Sequence, residues 1–239
     1  MTKPKEQGLK TEIIVGKVKT VFSTAEPDEV CIQYEDRVTA GNGKKELWIE
    51  DKGKVCCEIS KILFKELEKA GIKTHYISMP THRAMWCKKV DIVPLEVIVR
   101  NLAAGSICRQ TTIPKGKLFA SPLVEFHLKD DSKDDPLLTP DRMKLMGYEP
   151  ETFIETVLSI NHILIKLFFS IGFDLVDFKV EFGYDKDGNL LLADEISPDS
   201  MRLWKEGTSQ SYDKDLFRNG DGDIISAYKN ILTKLQGIV

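Results

Sequence analysis

No pair of cysteines in this 239-residue chain has the CxxC spacing, and the five present, at 31, 56, 57, 87 and 108, are odd in number. Cys56 and Cys57 are neighbours in a stretch that reads as a helix, where they point in different directions. Neither a disulfide framework nor a structural zinc site is expected; reduced, mostly buried thiols are. No run of 18 apolar residues occurs, and the opening MTKPKEQGLKTE lacks the apolar centre of a secretory signal. A membrane span and export are therefore not expected, and the expected compartment is the cytosol. Net charge is small too. The net value is −3 and the basic residues are scattered, so bulk electrostatics favour neither nucleic acid nor a lipid surface. Walker A and GxGxxG sequences are absent, as is any Ser-His-Asp or Cys-His arrangement. The four histidines, 75, 82, 127 and 162, share no spacing. A covalent protein nucleophile has no support.

What is present, 42% hydrophobic and 30% charged residues, describes a globular protein long enough for one large domain or a few intimate lobes. Strands are expected over Ile13–Ser23, Val30–Glu35, Glu46–Glu50, Thr74–Met79, Ala84–Lys89, Leu95–Asn101 and Leu123–Lys129, with Gly41-Asn42-Gly43 as a turn. Val55–Ala70 places Val55, Ile59, Ile62, Leu63 and Leu67 on one helical face, and Gly71 ends it. A short helix near Ser106, a long one over Pro150–Ile171 and a closing one over Asp223–Leu235 complete the pattern. This is an α+β pattern without regular strand–helix alternation. It divides into a strand-rich lobe over residues 1–90 and a larger mixed lobe over 91–239. No flexible linker separates them, and the cleft between lobes is the expected ligand site.

The stretch LVDFKVEFGYDKDGNLLLADEISPDS, residues 175–200, alternates, turns near Asp187-Gly188 and alternates again. Asp177, Lys179 and Glu181 fall on one strand face, roughly 6–7 Å apart. A two-residue turn at Asp187-Gly188 pairs Glu181 with Asp194, their Cα atoms about 4.5–5.5 Å apart. Facing carboxylates repel unless something stands between them, and a hard divalent cation such as Mg²⁺ converts that repulsion into binding. A solvated strand face part-neutralised by Lys179 remains the alternative, because a longer turn shifts the register.

Weaker signals lie elsewhere. Arg100 ends an apolar strand, and Asn101-Leu-Ala-Ala-Gly-Ser106 leads into a helix. That arrangement suits an anion, or is only a cap. Gly16-Lys17-Val18-Lys19 puts two lysines on one face of an early strand, either for nucleotide phosphates or merely for solvent. Asp130, Asp131 and their neighbours form an acidic loop. Ser197-Pro-Asp-Ser-Met-Arg202 carries Asp199 and Arg202 next to whatever the hairpin builds.

Taken together, GKVKTVF (16–22), VPLEVIVRNLAAGS (93–106), DDSKDDP (130–136), LVDFKVEFG (175–183), ADEISPDSMRLW (193–204) and YDKDLFR (212–218) resemble the SAICAR synthetase family, in its monofunctional form and in the family's order. The resemblance implies an ATP-grasp-like fold with ATP between the lobes. It implies a ligase that joins L-aspartate to the carboxylate of CAIR with ATP and Mg²⁺, giving SAICAR, ADP and phosphate. Lys17 and Lys19 would then meet ATP phosphates, and Glu181 and Asp194 would hold Mg²⁺. Arg100, Ser106 and Arg202 would bind the CAIR phosphate, with Lys179 beside its carboxylate and Asp199 in the same site. Roles for Asp130, Asp131 and Arg218 follow only loosely. A homodimer is the family expectation, with no nucleic-acid partner. A kinase acting on an alcohol, or a nucleotide-binding protein without turnover, are the competing classes.

Overall fold

Short β-branched and aromatic runs broken by Gly, Asp and Ser pair into antiparallel strands along the first third of the chain. In this computed structural model, which describes residues 11–41, 43, 45–220 and 222–238, they are β1 (Glu12–Val15), β2 (Lys19–Ser23), β3 (Glu29–Tyr34), β4 (Arg37–Ala40) and β5 (Lys45–Trp48). Residues 1–10 of the opening stretch and Asn42 of the expected turn lie outside the described residues. After α1 (Lys52–Lys69) come β6 (Tyr76–Thr81) and β7 (Ala84–Lys88). Five of these strands form one sheet in the order β1-β2-β3-β7-β6, while β4 and β5 pair with each other. The single strand expected over 13–23 is a hairpin instead. Gly16 N donates to Lys19 O at 2.8 Å, and the chain reverses between the two lysines.

The rest of the chain supplies β8 (Asp91–Ile92), β9 (Leu95–Leu102), α2 (Ser106–Gln110), β10 (Leu118–Leu128), β11 (Leu137–Leu138), α3 (Pro140–Leu145) and α4 (Pro150–Ser170). It continues through β12 (Phe173–Tyr184), β13 (Leu190–Ala193), β14 (Met201–Lys205), α5 (Asp215–Asn219) and α6 (Ile224–Gln236). A seven-stranded antiparallel sheet runs β11-β10-β9-β12-β13, with β14 and β8 also pairing to the long β12. The architecture is thus α+β, with a strand-rich N-lobe and a mixed C-lobe.

One continuous core spans both parts. Val55, Ile59, Leu63 and Leu67 of α1, Phe153, Val157, Ile160, Leu164 and Phe168 of α4, and Tyr228, Ile231 and Leu235 of α6 all belong to it. By length and mean hydropathy α4 could cross a membrane. Its apolar stripe is instead spent on the core, while Glu155, His162 and Lys166 face outward. None of the five cysteines forms a disulfide among the described residues, and only Cys108 is not buried.

The β12–β13 hairpin corrects the expected register. Asp185 N donates to Asn189 O and Gly188 N donates to Asp185 O, both at 3.0 Å, so the loop has three residues, Lys186–Gly188. Asp185 also accepts from the backbone N–H groups of Asp187 and Asn189. Gly188 at φ +78° supplies the left-handed position that such a loop needs. The shift of one places Glu181 opposite Ala193, not Asp194. A bulge between Leu175 and Asp177 leaves Phe178, Val180 and Phe182 in the core and Asp177, Lys179 and Glu181 on the opposite face.

Candidate active site

Strand pairing assembles the site's charged face. Asp177 lies opposite Arg100 and Lys179 opposite Ile98 across β12 and β9. Arg100 is only 2% exposed. Its guanidinium donates to Glu125 at 2.6 Å, Asp177 at 3.0 Å, Ser106 Oγ at 2.8 Å and Ala104 O at 3.2 Å. A buried charge persists only when paired this fully. Arg202 on β14 reaches the same Asp177 at 2.8 Å and Asp215 at 2.8 Å, so Asp177 bridges two guanidiniums. Gly105, at φ +68°, lies against Arg202: a Cβ there would stand 2.5 Å from Nη2. These groups border a cavity of about 720 Å³ whose lining carries seven basic and four acidic side chains. Its excess of positive charge suits an anionic ligand.

Lys179 runs from this cavity toward a second cluster. Its Nζ is 2.7 Å from Glu96 and 3.3 Å from Glu181. Burial disfavours its charge, but Glu181 and Glu96 outweigh that and raise its pKa. The other oxygen of Glu181 meets Lys129 at 2.5 Å. Beyond β13 the chain turns at Asp194, which adopts φ +62°. That conformation, and not a cross-strand pairing, aims its carboxylate at Lys19 Nζ, 2.5 Å away, while Glu195 meets the same amine at 2.9 Å. Burial alone would raise the Asp194 pKa; Lys19 and Lys179 reverse this and bring it down to about 2.

The remaining expected residues divide. Ser106 joins Arg100, and both line the cavity with Lys179 and Arg202. Lys17 and Lys19 do not share a face. Lys17 meets Asp131 at 2.9 Å on the exposed side of the hairpin, and Lys19 points inward. Asp199 lines the cavity, but its carboxylate is held by Lys52 of α1 and by Tyr228 Oη at 2.9 Å. Asp130 caps its own loop by accepting from Ser132 N, and Arg218 pairs with Asp215. Sequence reasoning assigned no role to Lys52, Glu96, Glu125, Lys129, Lys214 or Tyr228. Among these Glu96 and Lys214 carried a usable signal, their places in the VPLEVIVRNLAAGS and YDKDLFR stretches.

Residues 12–235 match the family model for SAICAR synthetase. The chain belongs to the SAICAR synthetase family. Its relatives include the phosphoribosylaminoimidazole-succinocarboxamide synthase of Staphylococcus carnosus, 44% identical over 227 residues that cover 93% of this chain and 97% of that one. The crystal structure of the corresponding synthase from Ehrlichia chaffeensis superposes with a TM-score of 0.92 at 41% identity, over 96% of this chain and all of that one. A SAICAR synthetase solved in complex with ADP gives 0.91 at 39% identity, covering 95% and 98%. The activity is ATP-dependent ligation of L-aspartate to CAIR, giving SAICAR in purine biosynthesis.

Proposed function

We propose that the ligation proceeds through an acyl phosphate of CAIR and that the two charged clusters divide the work. A carboxylate is a poor acyl donor because its leaving group is an oxide. Transfer of the γ-phosphoryl group of ATP to the CAIR carboxylate replaces that group with phosphate, which the aspartate amine can displace. Lys17, in the β1–β2 turn, and Lys19, at the start of β2, would take the ATP phosphates. Arg100, Ser106 and Arg202 would take the phosphate of CAIR, and Lys179 would stand beside its reacting carboxylate. The observation that carries this reading is Lys179 itself, which touches Glu96 in the cavity and Glu181 in the metal-type cluster and so links the two. Asp199, tied to Lys52 and Tyr228, would shape the cavity floor.

Mg²⁺ fits the donor set. No group of three or more His, Cys, Asp or Glu side chains converges among the described residues. Mg²⁺ needs only one or two carboxylates when substrate phosphates complete its shell. Glu181 and Asp194 offer hard oxygens, and each is balanced by lysines that can turn to phosphate. These two residues would hold the ion, which supplies charge neutralisation for the transferring phosphoryl group. The protein's own groups position the two carboxyl partners and exclude competing geometries.

The division into a nucleotide lobe over 1–90 and a substrate lobe over 91–239 belongs to the same proposal. So does a reducing, cytosolic setting, with which cysteines not joined in disulfides agree. A homodimer is supported by exposed apolar side chains on the C-lobe, Leu118, Leu145 and Phe169. The acyl phosphate is tested with CAIR labelled with ¹⁸O in its carboxylate. One labelled oxygen is expected in the phosphate released; unlabelled phosphate contradicts the intermediate.

A further inference from the structure

We propose that Lys214 accepts the proton that the incoming L-aspartate ammonium must lose before its amine can attack, a role that rests on the acyl-phosphate reading above. Most charged groups of the cavity lining are already paired. Asp177 holds Arg100 and Arg202, Asp215 holds Arg202 and Arg218, and Glu96 holds Lys179. Asp199 is engaged by Lys52 and Tyr228. Lys214, half-buried just before α5, lines the same cavity; its carbonyl accepts from Phe217 N and Arg218 N, but its side chain makes no hydrogen bond or ion pair among the described residues.

With the cavity's carboxylates engaged, the base falls to an amine that can exist neutral, and three lysines line this cavity. Lys179 is kept charged by Glu181 and Glu96. Lys115 is engaged over the Trp204 ring, 5.4 Å from its centroid. Arginine does not deprotonate. Lys214 stands where its charge is disfavoured. Burial acts first, Lys52 of α1 and Arg218 one turn along α5 add repulsion, and Asp199 and Glu195 oppose without prevailing. The flanking carboxylates do not neutralise it. Asp213 accepts from Leu203 N, Ser211 Oγ and Asp215 N, and Asp215 faces the two arginines. A lysine held below its ordinary value by burial and neighbouring cations is suited to general-base work.

The step balances. The aspartate –NH₃⁺ gives one proton to the neutral Nζ of Lys214, and the freed nitrogen lone pair forms the C–N bond. The acyl C–O bond to phosphate breaks with its electron pair on the departing oxygen. The second proton leaves the new amide nitrogen for that phosphate, and Lys214 returns its own to solvent through the open cavity.

The test compares wild type with K214R and K214M at saturating ATP, Mg²⁺ and CAIR. L-Aspartate and hydroxylamine, which is neutral at assay pH and needs no base, serve in turn as the nucleophile. Both variants are expected to lose about 100-fold in kcat with aspartate. They should keep hydroxamate formation within about twofold of wild type, and their residual aspartate rate should climb with pH after the wild-type rate has levelled. Equal loss with both nucleophiles overturns the role, and so does a kcat near wild type with a raised KM for aspartate, which makes Lys214 a carboxylate ligand only. Wild type forming no hydroxamate contradicts the acyl phosphate instead, and the pH–kcat profiles then decide on Lys214. Unchanged melting temperatures show that the variants are folded.

Discussion

Lys19 Nζ stands 2.5 Å from Asp194 Oδ1, joining the N-terminal sheet to the chain that leaves β13. The carboxylate gets there because Asp194 takes a left-handed backbone, which Asp and Asn accept far better than β-branched residues do. One ion pair thus links the two sheets, places a hard oxygen donor near Glu181 and supplies a lysine for phosphate.

Replacing Asp194→Asn keeps that backbone and removes the charge. Turnover is expected to fall roughly 100- to 1000-fold, the scale of losing one preorganised electrostatic group. Unfolding by urea should be little changed. Glu181→Gln should behave alike. Activity titrated against Mg²⁺ separates the roles: full activity of either variant at limiting Mg²⁺ contradicts the metal assignment.

Gly105→Ala is the corresponding test of the anion pocket. The new Cβ would lie 2.5 Å from Arg202 Nη2, and φ +68° is strained for alanine. Arg202 must move off Asp177. A KM for CAIR raised at least about tenfold is expected, with a stability loss of about 1–3 kcal/mol. Unchanged KM for CAIR shows that Arg202 does not bind that substrate.

Lys52→Met probes the buried link beneath the cavity. Lys52 and Asp199 are each almost fully buried, and removing the cation strands the carboxylate. A loss of about 3–5 kcal/mol is expected. Burial alone would raise the Asp199 pKa, but Lys52 brings it down to about 2 from 3.8. Its contribution to stability is therefore complete above pH 3.8 and lost as pH falls toward 2. Wild type and Lys52→Met should accordingly converge in stability as the medium is acidified. A constant difference across that range contradicts the pairing.

Periodicity made the main helices legible. The expected helix over 55–70 is α1, and Pro150–Ile171 and Asp223–Leu235 are α4 and α6 to within about a turn. The hairpin shows where local reading fails. Asp187-Gly188 has the composition of a two-residue turn, but Asp185 caps the loop with its own carboxylate and adds a residue, shifting every cross-strand pair by one. Glu181 is thus not opposite Asp194 as expected; Asp194 feels Lys19, Lys179 and Lys129 through its own backbone conformation and not through register. Lys17 and Lys19 part company because Gly16 permits a reversal where alternation suggested one strand. Lys52, Lys129 and Tyr228 left no trace in the pattern. Their partners Asp199 and Glu181 lie many residues away, and spacing encodes only neighbours on the same element. Strands β4 and β14 were missed because each is short; β14 also gains its place from β12, well before it in the chain, whereas β4 pairs with the neighbouring β5.

The central claim is that phosphoryl transfer from ATP is coupled to capture by an amine. The direct measurement is ADP release by purified protein given ATP, Mg²⁺, CAIR and L-aspartate, omitting each in turn, with the product's mass recorded. The account predicts steady turnover only when all four are present, and a product with the mass of SAICAR. Sustained ADP formation without aspartate, or a phosphorylated alcohol as the product, would contradict it and make the protein a kinase.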